Sequence, residues 1–299
     1  MNGSADYLKV NQETWNTWTR YHVDSTFYDV DRFKAGGKTL DPIALAGPGD
    51  VTGKSLLHLQ CHFGMDTLLW ARRGAQVTGV DFSEEAIKAA RALAGELEIA
   101  ATFIHSDLYE LPRHLAGQFD IVFTSHGVLC WLPDLERWAQ VIAHFLRPGG
   151  IFYIVEGHPV ALLFDERRED AELRVRYLYF QGPEPLREEG SGSYAVPDAP
   201  VRSVTYQWIH PLADIIGSLL RAGLRITAFE EYPFAAWAMF PWMERREDRW
   251  WRLPPGKESI PLMFSLKATK EMDQREIEPG WRVRASNVLP AGGPLPQVP

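Results

Sequence analysis

Between Lys54 and Asp107 short apolar runs and amphipathic stretches follow one another in a fixed order: strand, tight turn, helix, strand ending in an acid, helix, strand ending in an acid. The run Lys54-Ser-Leu-Leu-His-Leu59 leads into the turn Gln60-Cys-His-Phe-Gly64, and a helix is expected from Met65 to Arg73. Gln76-Val-Thr-Gly-Val80 then ends at Asp81, and Ala101-Thr-Phe-Ile-His105 ends at Ser106-Asp107. Strands separated by helices pair in parallel, because each crossover carries the chain back to the same edge. The expected fold class is α/β, with helices on both faces of the sheet. Ligands of such sheets lie outside the carboxyl ends of the strands, where a loop and a helix N-terminus present backbone N–H groups. Asp81 stands at that edge about 20 residues past the turn, where a carboxylate can accept both hydroxyls of a ribose. Asp107 repeats the device one strand along and suits the exocyclic amine of an adenine.

Three later segments continue the order: Gln118-Phe-Asp-Ile-Val-Phe-Thr124, Leu146-Arg-Pro-Gly-Gly150 and Ile151-Phe-Tyr-Ile-Val-Glu156. On these pieces together, Leu57 to Pro159 resembles a class I S-adenosylmethionine-dependent methyltransferase. The resemblance implies a Rossmann-like seven-stranded methyltransferase sheet, S-adenosyl-L-methionine as cofactor and S-adenosyl-L-homocysteine as product. It also implies a cofactor pocket built from Gln60, His62, Gly64, Asp81, Phe82, Asp107, Leu108 and Ser125. The departure is in the loop: where the family commonly has Gly-x-Gly-x-Gly, this chain aligns Gln60, His62 and Gly64. Glycine at such places permits positive φ or close backbone approach, so the two side chains must point away from the ligand or replace one of its contacts. A pyrophosphate-bearing dinucleotide suffers more from the missing glycines than a cofactor without phosphate.

At 299 residues and 45% hydrophobic content the chain exceeds a bare methyltransferase core. The expected division is an N-terminal helical lid over 1–50, a cofactor-binding core over 51–159, and an inserted substrate cap over 160–208. The remainder of the core, with an aromatic-rich connection, occupies 209–270, and a polar, Pro/Gly-rich tail occupies 271–299. No apolar stretch approaches the ~20 residues of a membrane span, and Met1 to Val10 lacks a signal-peptide pattern, so a cytoplasmic protein without membrane partners is expected. Cys61 and Cys130 are too few for a disulfide framework; the first is expected in the turn and the second in the core. The net charge of −8 argues against a nucleic-acid substrate, whose phosphates call for a basic surface, and Arg167-Arg168 and Arg245-Arg246, interleaved with acids, suit solvated surface. A small-molecule substrate is expected; a homodimer stays open.

Within the lid, Trp15, Trp18 and Tyr21 recur every three residues and suit a helix facing the body of the protein, with Phe27-Tyr28 and Phe33 following. In the insertion, Asp165 to Arg176 suits a surface helix or strand entry, Gln181 to Pro200 an exposed hairpin or loop, and Val201 to Trp208 a strand. A helix from His210-Pro211 through Arg221 and two finishing strands, Arg225–Glu231 and Ile260–Ala268, complete the pattern. Trp237, Trp242, Trp250 and Trp251 lie between those strands and suit either core cover or the wall of an apolar pocket.

Methyl transfer is an in-line displacement, dominated by positioning, and the acceptor must lose a proton. Candidates for that role are His126 after the fourth strand, Glu156 and His158 after the fifth, and Tyr28 from the lid. No metal is expected: Asp134 and Glu156 make no cluster for magnesium, and His58 lies on a strand apart from Cys61 and His62. The layout also resembles actinobacterial indole C3-methyltransferases, which implies an aromatic acceptor, most sharply an indole carbon, and a place in secondary metabolism. O- or N-methylation of a small metabolite is the alternative, and a non-catalytic cofactor-binding module the third reading.

Overall fold

The computed structural model describes residues 3–38, 40–257 and 259–271, so the tail expected over 271–299 lies, past its first residue, outside the described residues. The chain opens with helices α1 (Gly3–His22), α2 (Val30–Lys34) and α3 (Pro42–Ala46). Strand and helix then alternate through β1 (Ser55–Leu59), α4 (Met65–Arg72), β2 (Gln76–Asp81), α5 (Glu84–Glu96), β3 (Ala101–His105), α6 (Leu111–His114), β4 (Phe119–Thr124), α7 (Leu135–Phe145) and β5 (Leu146–Gly157). A hairpin of β6 (Leu186–Ser191) and β7 (Arg202–Gln207) precedes α8 (Leu212–Arg221) and β8 (Leu224–Tyr232). The two-residue strands β9 (Glu244–Arg245) and β10 (Trp251–Arg252) pair within the aromatic connection, before β11 (Met263–Lys270).

Seven strands form one sheet in the order β3-β2-β1-β4-β5-β11-β8. β1 to β5 are mutually parallel, and β11 runs antiparallel between β5 and β8. The strand order reverses between β1 and β4, which opens a crevice beyond their carboxyl ends and brings the Gln60 turn opposite the loop that follows Thr124.

Each strand alternates between two cores. Leu56, Ile121, Phe123 and Val155 pack on one face against Leu68, Ile87 and Ala90 of α4 and α5. Leu57, Val122, Phe152 and Ile154 pack on the other against Trp138, Ile142, Phe145 and Leu219 of α7 and α8. At about 1.5–3 kcal/mol for each large side chain removed from water, this burial rather than helix propensity holds α7 in place.

Outside the sheet the structure departs from the sequence pattern in three places. α1 turns Asn11, Trp18 and His22 inward, while Tyr21 stays half-exposed, because a spacing of three drifts off a face that repeats every 3.6 residues. Asp165 to Arg176 forms no helix; only Phe164 and Val175 bridge in antiparallel fashion, and acids alternating with arginines offer no apolar face to bury. Cys130 is half-buried in a short 3-10 turn instead of the core, whereas Cys61 is buried.

Side-chain bonds to backbone dock α1. Asn11 donates to Tyr206 O at 2.8 Å and accepts from Tyr206 N at 2.8 Å, and Thr14 Oγ1 donates to Val204 O at 2.8 Å, which binds the helix to β7. On its other side Gln12 donates to Phe82 O, and Asn16 Oδ1 accepts from Ser83 Oγ at 2.8 Å. The helix thus ties the inserted hairpin to the turn after β2. No helix among the described residues is long and apolar enough to cross a membrane.

Candidate active site

The loop after β1 keeps a left-handed backbone at all three positions where glycines were expected: φ is 56° at Gln60, 51° at His62 and 80° at Gly64. Left-handed backbone costs a non-glycine residue on the order of 1–2 kcal/mol, so tertiary bonds must hold it. Cys61 N donates to Val80 O at 2.8 Å and His62 N to Asp81 Oδ2 at 2.8 Å. Gln60 Nε2 donates to Val128 O at 3.1 Å, while its Oε1 is buried without a partner among the described residues. Gly64 has no alternative: a Cβ there would lie 2.6 Å from Phe103 Cε1 and 3.0 Å from Ala90 Cβ.

Asp81 is buried at the tip of β2. One oxygen accepts from His62 N and the other from Ser83 N, each at 2.8 Å, which leaves each oxygen a lone pair for a further donor. Burial pushes its carboxyl up to about 6, against the lowering effect of those amides and of His105. Beside it opens a cleft of about 380 Å³, lined among others by Gln12, Phe82, Asp107 and Tyr109. Burial also raises the Asp107 carboxyl, whose Oδ1 accepts from Tyr109 N at 2.7 Å. Leu108 turns away into the core under α7.

Around His62 the cover closes an aromatic cage. The His62 ring centre lies 4.6 Å from Phe63, 5.2 Å from Trp15, 5.2 Å from His22 and 5.3 Å from Tyr28. Trp131 packs 5.3 Å from Trp15, and Tyr194 4.8 Å from His22, with the Tyr28 and Tyr194 hydroxyls hydrogen-bonded to one another. Burial lowers His22 to about 4 and holds His62 well below the ordinary histidine value, the latter with help from His22, so both imidazoles are neutral at pH 7. Burial, with Tyr194 alongside, holds the Tyr28 phenol well above its ordinary range, so Tyr28 keeps its proton. Trp15 Nε1 is buried here without a partner among the described residues.

A polar cluster occupies the β4 side. His126 Nε2 lies 3.0 Å from Asp41 Oδ2, while its Nδ1 is buried without a partner among the described residues. Burial disfavours the charged ring, but the hydrogen bond and charge of Asp41, joined by Glu156 and Asp66, outweigh it and raise the His126 pKa. Burial likewise raises the Asp66 carboxyl, with Ser125 and His126 acting against it. Ser125 Oγ lies 3.3 Å from His58 Nε2, and His58 Nδ1 2.8 Å from Thr67 Oγ1. The Trp237 ring lies 5.6 Å from that of His126.

Two of the proton-acceptor candidates have other partners. Glu156 accepts four backbone amides, from Gly127 and Gly157 at 2.6 Å, Val128 at 2.8 Å and Leu129 at 3.1 Å. That uses its four lone-pair directions and shapes the loop after β4, leaving none for a substrate proton. His158 is buried at the turn leaving β5, where Nδ1 accepts from Val160 N at 3.1 Å and Nε2 lies 2.8 Å from Glu231 Oε1. Burial lowers its pKa more than Glu231 restores it.

Asp41, Asp66, Trp131 and Tyr194 were not foreseen as site residues. Asp41 carries a signal in hindsight, an acid directly before Pro42 that marks a helix N-terminus. Tyr194 carries none, since its segment reads as Gly/Ser/Pro-rich loop. Among the described residues no group of three or more His, Cys, Asp or Glu side chains is arranged to hold a metal ion.

Residues 57–154 match the family described as "Methyltransferase domain". Among curated proteins, the chain is 33% identical over 118 residues to the ubiquinone biosynthesis O-methyltransferase of Alkalilimnicola ehrlichii, covering 39% of this chain and 47% of that one. It is 28% identical over 173 residues to the protein of the same name from Psychrobacter arcticus, covering 54% and 66%. The chain therefore spans about half to two thirds of the length of these relatives. Among solved structures, a putative S-adenosylmethionine-dependent methyltransferase from Listeria monocytogenes superposes with a TM-score of 0.51 at 18% identity, over 75% of this chain and 93% of that one. One from Mesorhizobium loti superposes with a TM-score of 0.50 at 21% identity, over 74% and 93%. At these identities the likeness is one of fold.

Proposed function

We propose that this chain, whose residues 57–154 match a methyltransferase domain family, is a class I methyltransferase that transfers a methyl group from S-adenosylmethionine to a small flat acceptor held under the α1 and β6–β7 cover. The observation that carries the reading is the first loop, which adopts left-handed backbone at Gln60 and His62 despite its cost and directs His62 N at Asp81. Asp81 would take the ribose hydroxyls on its remaining lone pairs, and Phe82 and Asp107 would border the adenine. Gln60 would offer its unpartnered Oε1 to the cofactor's ammonium. When bound, the cofactor supplies a methyl carbon made electrophilic by the adjoining sulfonium.

The chain's own residues orient the acceptor and exclude water. Trp15, Trp131 and Tyr28 would wall the acceptor on the cover side and Trp237 on the β4 side, with His126 placed to take its proton. Tyr28, protonated and bonded to Tyr194, acts as wall and donor instead of base. The resemblance in layout favours an indole carbon as the methyl acceptor, whereas the O-methyltransferase relatives favour a hydroxyl oxygen. The test is calorimetric titration with S-adenosylmethionine and S-adenosylhomocysteine, followed by a methyl-transfer screen over indoles, phenols and amines. Binding of both ligands with transfer to one class is the expected result. Failure to bind either ligand sinks the reading, and binding without transfer to any acceptor reduces the chain to a binding module.

A further inference from the structure

His126 is bonded to a residue outside the sheet and outside the segment that matches the methyltransferase family. Asp41 caps α3: its Oδ1 accepts from Ile43 N and Ala44 N, both at 2.9 Å. Those two amides fix the plane of the carboxylate and leave Oδ2, the oxygen 3.0 Å from His126 Nε2, to the imidazole alone among the described residues. The opposite ring nitrogen, Nδ1, is buried and has no partner among the described residues. An acid that holds one nitrogen of a histidine dictates the tautomer and bares the other nitrogen. The other ionisable groups near this ring are Asp66 at the start of α4 and Glu156 on β5. Glu156 is committed to four amides, and Asp66 faces Ser125.

Resting on the methyltransferase reading, we propose that Asp41 is the positioning residue of a two-residue proton acceptor, in which it holds the Nε2 proton of His126 and leaves Nδ1 to take the proton of a neutral hydroxyl acceptor. A hydroxyl fits this device better than an amine or a carbon, because a neutral amine is already a nucleophile and a carbon loses its proton after attack, whereas oxygen gains most from a base in place beforehand. In the step, the acceptor O–H bond breaks and its proton moves to Nδ1. The oxygen forms the new bond to the methyl carbon, and the old S–CH3 pair stays on sulfur as the neutral thioether. The geometry also makes the segment before β1 part of the chemistry, since the ring is oriented only when α3 is docked.

The test does not depend on turnover. Nitrogen-15 imidazole spectra of the full chain, with His126 assigned from its loss in His126→Gln, report tautomer and titration directly. Wild type should show a proton on Nε2 and a bare Nδ1 in the neutral ring. Asp41→Asn keeps the capping Oδ1 but presents N–H to Nε2, so the proton should move to Nδ1 and the ring should titrate at lower pH. Asp41→Ser, which also retains a capping oxygen, should lower the titration in the same way. An unchanged tautomer and titration in both variants overturns the proposal whether or not the chain methylates anything. With a hydroxyl acceptor in hand, Asp41→Asn should lower kcat about 100-fold or more and move the acid limb of the rate profile to lower pH. S-adenosylmethionine affinity should stay within about twofold. A parallel loss in cofactor affinity, or a limb that stays in place, assigns Asp41 to folding alone. No binding of S-adenosylmethionine by wild type would instead break the functional reading while leaving the spectra decisive.

Discussion

The floor of the site, from Gln60 to Asp107, and its cover, made by α1 and the β6–β7 hairpin, meet at the ring of His62 but are held by different means. The floor is a series of strand ends and turns whose backbone amides bond to carboxylates a few residues away, as Ser83 N does to Asp81 and Tyr109 N to Asp107. The cover joins segments far apart in the chain by side chains, as Asn11 does to Tyr206 and His22 to Ser193. The floor's geometry rests on main-chain amides at the strand ends, including those that hold its left-handed loop, so changes there should cost the fold or the cofactor. The cover depends on docking, so changes there should alter access while the sheet survives.

The largest effect should come from Gly64→Ala. A Cβ 2.6 Å from the Phe103 ring, on a backbone at φ 80°, should cost about 2–4 kcal/mol in denaturant unfolding. A change under about 1 kcal/mol would show that the floor yields as readily as the cover. Asp81→Ala comes next: with both ribose hydroxyls losing a charged acceptor, S-adenosylmethionine affinity should fall about 100-fold by calorimetry. Unchanged affinity would remove Asp81 from the cofactor site. On the cover, Asn11→Ala strips two bonds from the Tyr206 backbone and should cost about 1–3 kcal/mol, read as faster amide exchange along β7 while the amides of β1 and β4 stay protected.

Acid should separate the regions through His22. Its folded pKa, about 4, lies below the ordinary value of 6.5, so the folded state binds fewer protons than the unfolded one. Cover stability should be full above about 6.5 and decline as pH falls toward about 4, and His22→Gln should flatten that part of the exchange profile. The smallest effect is expected from Gln60→Gly, where relief of left-handed strain is offset by the lost bond to Val128 and by glycine's freedom in the unfolded chain. The net change in unfolding free energy should be within about 1 kcal/mol.

The floor was legible because its information is local. An apolar run ending in an acid, then a helix, then another such run, specifies parallel strands; Asp81 ends β2, Asp107 follows β3, and Phe82 and Asp107 line the cleft. The loop also shows why the missing glycines did not abolish its shape: packing and the bond from His62 N to Asp81 hold a conformation that propensity at Gln60 and His62 opposes. Leu108, beside Asp107, is buried in the core under α7.

The chain's own order of residues was enough to settle the α/β sheet and the acids at its strand ends, since period-two and period-3.6 burial and crossover geometry act over short stretches. Only the tertiary structure decided the rest. Tyr28 meets Tyr194 across 166 residues, and Asp41 meets His126 across 85. No periodicity encodes such pairs; they arise when separately formed elements pack, and burial then holds the His22 and His62 imidazoles neutral.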